Sequence, residues 1–318
     1  MFVARGIAIS LSGFAIIYCV LSLAVACGWR RAWARAQRLS VRHAADMLFT
    51  LRMAPFIAAL LTTATLTVPS FLLLEPRAID EPVGGISLAL GACGLILGLA
   101  GITNAAIVVR KAARAVREWT RGAELRRSAS SVPVLTVSRA SPAMTATGIL
   151  RPRILLSSAA QLQLTGGECQ AALDHELAHV RRADNLKKLL MRFVAFPGMR
   201  GLEAAWLEAT EMAADDAAVA TTGAALDLAA ALIKLSRMVP EAATADLTAS
   251  LVLGPASAVQ ARVARLLAWR EEQLVGKHSR WRGLSFGMAA TLAAMAMFAL
   301  TYRQLLMNVH TATEWLVR

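Results

Sequence analysis

The sequence predicts a mainly helical membrane protein, with four membrane-crossing helices and an α+β domain inserted between the third and the fourth. Hydrophobic residues make up 57% of the 318 residues and charged residues only 17%, whereas about a quarter of an ordinary soluble domain is charged. Four stretches contain no charged side chain and reach the ~20 residues with which a helix crosses the hydrocarbon core. A long segment of mixed polarity separates the third stretch from the fourth.

The four charge-free stretches set the expected domain boundaries. They are Gly6–Trp29, Met53–Leu74, Pro82–Val109 and Gly283–Tyr302. The first is too long for the apolar part of a secretory signal and is followed by Arg30 and Arg31, so we expect a membrane helix there. The expected organisation is three membrane helices within 1–110 (about 6–29, 53–74 and 84–109), a domain with its linkers over 111–282, a fourth membrane helix over 283–302, and a short tail over 303–318.

Basic residues next to the apolar stretches predict the orientation in the membrane. Lys and Arg cluster after the first stretch, after the third and before the fourth, whereas the connection between the second and third is acidic. The positive-inside rule then places the N-terminus outside, residues 111–282 in the cytoplasm and the tail outside. The net charge of +13 flanks apolar stretches and forms no single basic stripe. We therefore expect the lipid bilayer as a partner and no direct contact with nucleic acid.

The inserted segment begins with strand patterns and continues with a helix. The β-branched stretch Val132–Val137 and the short stretch Arg153–Leu156 are typical of strands. Thr165 followed three residues later by Glu168 is a capping box, which predicts a helix starting at Thr165. The strand at Val132–Val137 either binds an extended substrate by edge addition or is an ordinary covered strand.

The predicted helix carries the motif H-E-x-x-H, at His175, Glu176 and His179. Residues four apart share a helix face, so both imidazoles can bind one metal ion. Glu176 is adjacent and can take a proton from a metal-bound water without being a ligand. The alternative is a solvent-facing turn with unrelated histidines. Two of the five histidines in the chain fall into this one pattern, which favours a zincin-like metal site.

A catalytic zinc needs a third protein ligand. Cys169 should face away from His175, and His278 adjoins the last membrane helix, which places it poorly. The downstream acidic residues are Glu208, Glu211, Asp215 and Asp216. Glu211 and Asp215 share a helix face, so one could bind zinc while the other accepts a hydrogen bond from a ligand histidine. The alternative is a solvated acidic face.

Two further features are interpreted as structural. Asp184 is expected to form an ion pair with a nearby arginine. The stretch "AVQARVARLLAWREEQL", residues 258–274, is interpreted as a basic connector helix that leads to the membrane.

These motifs together resemble a known family. H-E-L-A-H-x-x-R-x-D, His175 to Asp184, followed by E-x-x-x-D-D, Glu211 to Asp216, resembles the peptidase domain of the bla-regulator membrane metallopeptidases, whose best-known members sense β-lactams. The stretch "GILRPRILLSS" resembles the strand region before the zinc helix of that family. The plan of three membrane helices, a cytoplasmic zinc peptidase and a fourth helix is similar too.

The resemblance implies a role for each motif residue. His175, His179 and Glu211 would be Zn²⁺ ligands, Glu176 the catalytic base, and Asp215 a support for a ligand histidine. Many relatives have a cysteine where this chain has Ala214, a position that is not a ligand. We expect no penicillin-binding sensor domain in this chain, so the resemblance does not imply a β-lactam stimulus.

The expected function is that of a gluzincin-like zinc endopeptidase in a bacterial inner membrane, with its active site in the cytoplasm. By analogy with the family, its substrate would be a cytoplasmic protein such as a transcriptional repressor. A membrane quality-control protease of the heat-shock or prenyl-protease type also pairs H-E-x-x-H with a downstream glutamate. The third hypothesis is a catalytically silent membrane signalling or scaffold protein. Latency stays open, and so does association into a homo-oligomer.

Overall fold

The structure, a computed structural model, describes residues 2–37, 40–76, 84–126, 132–137, 142–238, 249–250, 256–269 and 297–314. The helices are α1 (Phe2–Ala36), α2 (Val41–Thr62), α3 (Val68–Leu74), α4 (Gly85–Trp119), α5 (Ser158–Gln163), α6 (Gly166–Arg181), α7 (Asp184–Phe193), α8 (Arg200–Ala218), α9 (Thr222–Ser236), α10 (Ala256–Leu267) and α11 (297–314). A π-helical turn, Thr63–Thr67, joins α2 to α3. The strands are β1 (Glu124–Arg126), β2 (Val134–Val137), β3 (Met144–Thr147), β4 (Arg153–Ser157) and β5 (Ala249–Ser250).

The chain divides into two compact units. Unit 1 comprises Met1–Trp29, Leu51–Ala100 and Val275–Arg318. Unit 2 comprises Arg30–Thr50 and Gly101–Leu274.

Three helical stretches of the described residues are long and apolar enough to cross a membrane: Phe2–Ala36, Val41–Leu74 and Gly85–Trp119. They overlap the first three predicted membrane helices. The first is longer than its charge-free stretch at both ends, the second begins earlier, and the third ends later. Most of the fourth predicted helix, residues 283–296, lies outside the described residues. The end of that stretch is helical and belongs to α11, which continues to residue 314.

Unit 1 is held together by close backbone approach and by polar contacts between its helices. A Cβ on Gly94 of α4 would lie 2.7 Å from the carbonyl oxygen of Leu11 on α1, so the absence of a side chain lets the two helices approach. Ser12 Oγ of α1 donates to Ser87 O of α4 at 2.8 Å. Tyr302 Oη of α11 donates to Thr65 O in the π-helical turn at 2.9 Å.

Unit 2 contains a mixed sheet. Among the described residues its strand order is β1-β2-β4-β3-β5, with β2 and β4 parallel and the other neighbouring pairs antiparallel. The predicted strand at 132–137 is present as β2, and the one at 153–156 as β4, each with slightly shifted bounds. Strand β2 pairs with β1 on one side and β4 on the other. The proposed role of β2 in edge addition is therefore wrong, because its backbone groups on both sides already have partners.

Helix α6 is packed between β3 and the helices α8 and α9. All four residues of β3 are buried. Apolar residues of α6 and α9 meet β4 in one core, which includes Leu173, Leu177, Leu228, Leu232 and Leu156. Cys169 also lies in this core, away from the two motif histidines, as its spacing predicted. The helix that carries the motif is therefore fixed on several sides.

Candidate metal centre

Helix α6 begins with the predicted capping box. Thr165 Oγ1 accepts from the Glu168 backbone N–H at 3.3 Å, and Glu168 Oε2 accepts from the Thr165 backbone N–H at 2.8 Å. Both interactions satisfy N–H groups that a helix start leaves without intrahelical partners. Lys234 of α9 lies 2.7 Å from the same carboxylate. The start of α6 is thereby tied to α9, and His175 follows within this helix.

The motif histidines lie one helical turn apart and face each other. The distance between His175 Nε2 and His179 Nε2 is 3.1 Å. Both side chains are buried, with 0% and 3% of their surface exposed. Glu211, on α8, approaches both rings: Oε2 lies 3.5 Å from His175 Nε2, and Oε1 lies 3.5 Å from His179 Nε2. One potential donor atom from each residue falls within 4.8 Å of the other two, so the three residues could hold one metal ion.

Each histidine directs its other ring nitrogen towards a buried carboxylate. His175 Nδ1 lies 2.9 Å from Asp215 Oδ1, an ion-pair distance without the angle of a good hydrogen bond. His179 Nδ1 lies 2.8 Å from Asp184 Oδ2 in a hydrogen bond. Asp184 was expected to pair with an arginine, and Arg182 Nε does lie 3.7 Å from its other oxygen. Its shorter contact is with His179, however. Carboxylates at Nδ1 orient metal-binding histidines and favour coordination through Nε2.

Arg262 of α10 was not singled out in the sequence, but it contacts two acidic residues of the site. Its Nε and Nη2 donate to the two carboxylate oxygens of Asp215, each at 2.7 Å. Its Nη1 donates to Glu211 Oε2 at 3.0 Å. The interpretation of this stretch as a basic connector did not foresee this role: α10 packs against α9 and α8 and delivers a buried cation to the candidate metal centre. Residues 270–296, which would show where this stretch leads, lie outside the described residues.

Glu176 lies on the strand side of α6. Its Oε2 accepts a hydrogen bond from the Ala146 backbone N–H of β3 at 2.7 Å. Its Oε1 is buried and has no hydrogen-bond partner among the residues that the structure describes. Asn185 Nδ2 donates to Ala146 O at 3.2 Å, which fixes this end of β3. One oxygen of Glu176 is thus held by the sheet, whereas the other accepts no hydrogen bond from the described residues.

Burial and the neighbouring charges shift the pKa values of the metal-free site. Burial alone would lower the pKa of His175, but Asp215 and Glu211 outweigh it and raise the pKa to about 9. Burial alone would raise the pKa of Glu211, but His179 and Arg262 lower it to about 2. Arg262 likewise holds the pKa of Asp215 well below its usual range against the effect of burial. The pKa of Glu176 is raised by burial, although both histidines oppose the shift.

Sequence reasoning missed Arg262, the Ala146 N–H and the role of Asp184. Asp184 follows the end of α6, and Ala183 has a left-handed backbone with φ of 53°, so helical spacing could not predict its contact with His179. Arg262 is 47 residues from Asp215, and nothing in its own helix distinguishes it from Arg265. The available signal is a pair of acidic residues one helical turn apart, Glu211 and Asp215, because two carboxylates buried side by side need a cation beside them.

The candidate metal centre lies within a stretch of the chain that matches a known family. Residues 79–266 match the family model described as BlaR1 peptidase M56, which is more than half of the 318 residues. The chain belongs to the M56 peptidase family. The resemblance seen in the sequence is thereby confirmed. No curated protein matches the chain.

Membership of the M56 family relates the buried cluster to metal-dependent peptide hydrolysis. The matched residues include His175, Glu176, His179, Glu211 and Arg262. An M56 peptidase depends on a metal, and the buried cluster of two histidines and one glutamate is a possible metal-binding triad. Three helical stretches among the described residues are apolar and long enough to cross a membrane, so the chain is a membrane-associated metallopeptidase.

Proposed function

We propose that this M56 peptidase is an integral membrane zinc endopeptidase, that its active site faces the cytoplasm, and that it cleaves a cytoplasmic protein such as a transcriptional repressor. The observation that carries the proposal is the convergence of His175, His179 and Glu211 beside a buried glutamate that is not part of the triad. Two histidines and a glutamate are a known ligand set of catalytic zinc. The basic segments next to the apolar stretches support the orientation.

The residues present fit a zinc ion. Both Nδ1 atoms face carboxylates, which leaves the Nε2 atoms for a metal. Glu211 is the third donor, and its low pKa keeps it ionised. In this proposal Asp215 and Asp184 orient the histidines, and Arg262 holds Glu211 and Asp215. When bound, zinc would acidify a coordinated water and polarise the scissile carbonyl.

Glu176 is the proposed catalytic base. Its Oε2 is fixed by the Ala146 N–H, so Oε1 can accept a proton from the attacking water and pass it to the leaving amine. The raised pKa of Glu176 brings its proton affinity closer to that needed near neutral pH. Burial excludes competing water, and the charges of the site act more strongly in a low-dielectric environment.

Elemental analysis of the detergent-purified full chain tests the metal. We expect one zinc per chain in the parent and its loss in Glu211→Ala. Glu208→Ala is the matched control, because Glu208 is an exposed carboxylate on the same helix. Zinc retained by Glu211→Ala would remove Glu211 from the ligand set. No zinc in the parent, even after zinc is supplied, would favour the silent scaffold.

Mapping of newly formed protein N-termini in cells tests the activity and the substrate class. Cells with the parent are compared with cells that carry Glu176→Gln, a variant expected to keep its zinc and lose cleavage. One or a few cytoplasmic proteins cut only by the parent would support regulatory proteolysis. Many damaged membrane proteins would support quality control instead. No difference would contradict peptidase activity in those cells.

A further inference from the structure

The first half of the second candidate membrane helix contacts the region that carries the metal-site residues. Asp46 and Phe49 lie in the first half of α2 and belong to unit 2, with the candidate metal centre. Asp46 Oδ1 is 3.3 Å from Lys187 Nζ and 3.6 Å from Arg182 Nη2. The same helix forms part of the stretch Val41–Leu74, which is long and apolar enough to cross a membrane.

The two cations that face Asp46 also face Asp184. Asp184 Oδ1 is 3.7 Å from Arg182 Nε and 3.9 Å from Lys187 Nζ. The other oxygen of Asp184 holds His179 Nδ1 at 2.8 Å. A continuous series of charges therefore runs from Asp46 through Arg182 and Lys187 to Asp184, and from Asp184 to His179.

The charges at Arg182 and Asp184 interact strongly because both side chains are shielded from water. The side chain of Asp184 is fully buried and that of Arg182 is 10% exposed, whereas Asp46 is half-exposed. Arg182 Nε and Nη2 and Asp184 Oδ1 make no hydrogen bond within the described part of the chain. They interact at ion-pair distances only. If Asp46 is neutralised, Arg182 and Lys187 are no longer drawn towards α2 and can move closer to Asp184. Their stronger pull on the Asp184 carboxylate then competes with its hydrogen bond to His179.

A second contact from the same turn of α2 reaches α8. The ring of Phe49 lies with its centroid 6.3 Å from that of Trp206, and Lys187 Nζ lies 5.5 Å from the Phe49 centroid. Trp206 is fully buried on α8, the helix that provides Glu211. The turn of α2 that contains Asp46 and Phe49 is thus packed next to α8, which carries Glu211, and next to Arg182, which directly follows the helix of the two histidines.

We propose that Asp46 is a positioning residue for the metal centre, which acts on His179 through Arg182, Lys187 and Asp184. The inference rests on the proposed function, because it assumes that His179 binds the metal. The metal affinity of the site then depends on where α2 places Asp46. A stimulus that shifts or rotates this membrane helix changes the site without touching a ligand.

Cobalt and zinc binding to the detergent-purified full chain test the inference. Zinc affinity is measured by competition with a chromophoric chelator, and the cobalt-substituted protein is followed by its visible absorption, which reports ligand geometry. We expect Asp46→Asn to weaken zinc binding about three- to tenfold, less than the roughly 10- to 100-fold typical of direct partners of ligand histidines. Its cobalt spectrum should change as well. Asp46→Glu should restore both, and Glu118→Gln, an exposed carboxylate of α4, should change neither.

A double-mutant cycle separates this role from a general effect on folding. In a background with Arg182→Gln and Lys187→Gln, Asp46→Asn should have no further effect on zinc affinity. An equal loss in both backgrounds would overturn the inference, and so would an unchanged affinity and spectrum in Asp46→Asn. A parent that binds neither metal would overturn the proposed function, and the inference with it. A parent that binds zinc together with an inert Asp46→Asn would overturn the inference alone.

Discussion

At the scale of single residues, two buried carboxylates share one cation. Asp215 accepts two hydrogen bonds from Arg262 and Glu211 accepts one. Removing one partner of a buried ion pair costs far more than removing an exposed pair, because the remaining charge is left without compensation. The helix α10 contains both kinds of pair, since Arg265 meets Asp216 with both side chains more than a third exposed.

We therefore expect Arg262→Ala to lower the free energy of unfolding of the metal-free protein by about 3–5 kcal/mol. Arg265→Ala should change it by less than about 1 kcal/mol. Zinc should recover part of the loss in Arg262→Ala, because the metal supplies positive charge next to the same carboxylates. Denaturant unfolding in detergent, with and without zinc, measures all three values. Equal losses of unfolding free energy in the two variants would contradict the prediction that the buried ion pairs of Arg262 stabilise the fold more than the exposed pair of Arg265.

The raised pKa of His175 predicts how zinc affinity depends on pH. With a pKa of about 9, His175 is protonated at neutral pH in the metal-free protein, and metal binding must displace this proton. Zinc affinity should therefore rise with pH and level off above about 9, with about one proton released per zinc near pH 7. Calorimetry in buffers of different ionisation enthalpy counts the protons. Asp215→Asn should move the rise to lower pH, and a flat profile in the parent would contradict the prediction.

The residues of the site differ in how far the sequence could predict them. His175, Glu176 and His179 form a local pattern, and the helical face shared by Glu211 and Asp215 follows from their spacing. That spacing left open which of the two is the ligand. Arg262 could not be predicted, because its contact depends on the packing of α10 against α8. The expected ion pair of Asp184 with an arginine is present at 3.7 Å from Arg182. Its shorter contact with His179 could not be predicted, because a left-handed residue, Ala183, changes the chain direction just before it.

At the scale of elements, the close packing of α1 against α4 is expected to depend on the glycines of α4. A Cβ at Gly94 would lie 2.7 Å from Leu11 O, whereas a Cβ at Gly98 would meet nothing within 4 Å. Gly94→Ala should lower the free energy of unfolding by about 1–3 kcal/mol, the cost of overpacking, because a backbone atom cannot move aside easily. Gly98→Ala should be neutral or slightly stabilising. Thermal unfolding in detergent compares the two variants, and an equal response would show that α1 yields to the extra methyl group.

Elements with strong local signals were predicted well and short strands were not. The capping box fixed the start of α6, and β-branched residues marked β2 and β4. Strand β3, with the sequence M-T-A-T, has only four residues, and although Thr alternates with an apolar residue, all four are buried, so the alternation marks no exposed face. Strand β1 has three residues and β5 has two. Their pairing depends on neighbouring strands, which a local pattern cannot report.

At the scale of the whole molecule, the charge distribution predicts which side of the membrane each part occupies. Leu150 is 94% exposed in the peptidase domain, and Ala312 is exposed on α11. With the four native cysteines replaced, a membrane-impermeant maleimide should label Ala312→Cys in intact spheroplasts, but Leu150→Cys only after lysis. Labelling of Leu150→Cys before lysis would place the peptidase domain outside and contradict a cytoplasmic substrate.

The order in which the chain is made gives the Arg262 contact a further consequence. His179 meets Asp184 only five residues away, so this half of the centre can assemble as soon as α7 emerges from the ribosome. Arg262 follows Asp215 by 47 residues, which at about 5–20 residues per second takes roughly 2–10 s of synthesis. During that interval the nascent chain already has both histidines, Glu211 and Asp215, but not yet the guanidinium that neutralises the two acids. The contact of His179 with Asp184 can therefore form before the contact of Arg262 with Asp215. The positive charge of Arg262 is the last of these groups to be synthesised, because α10 is translated after α6, α7 and α8.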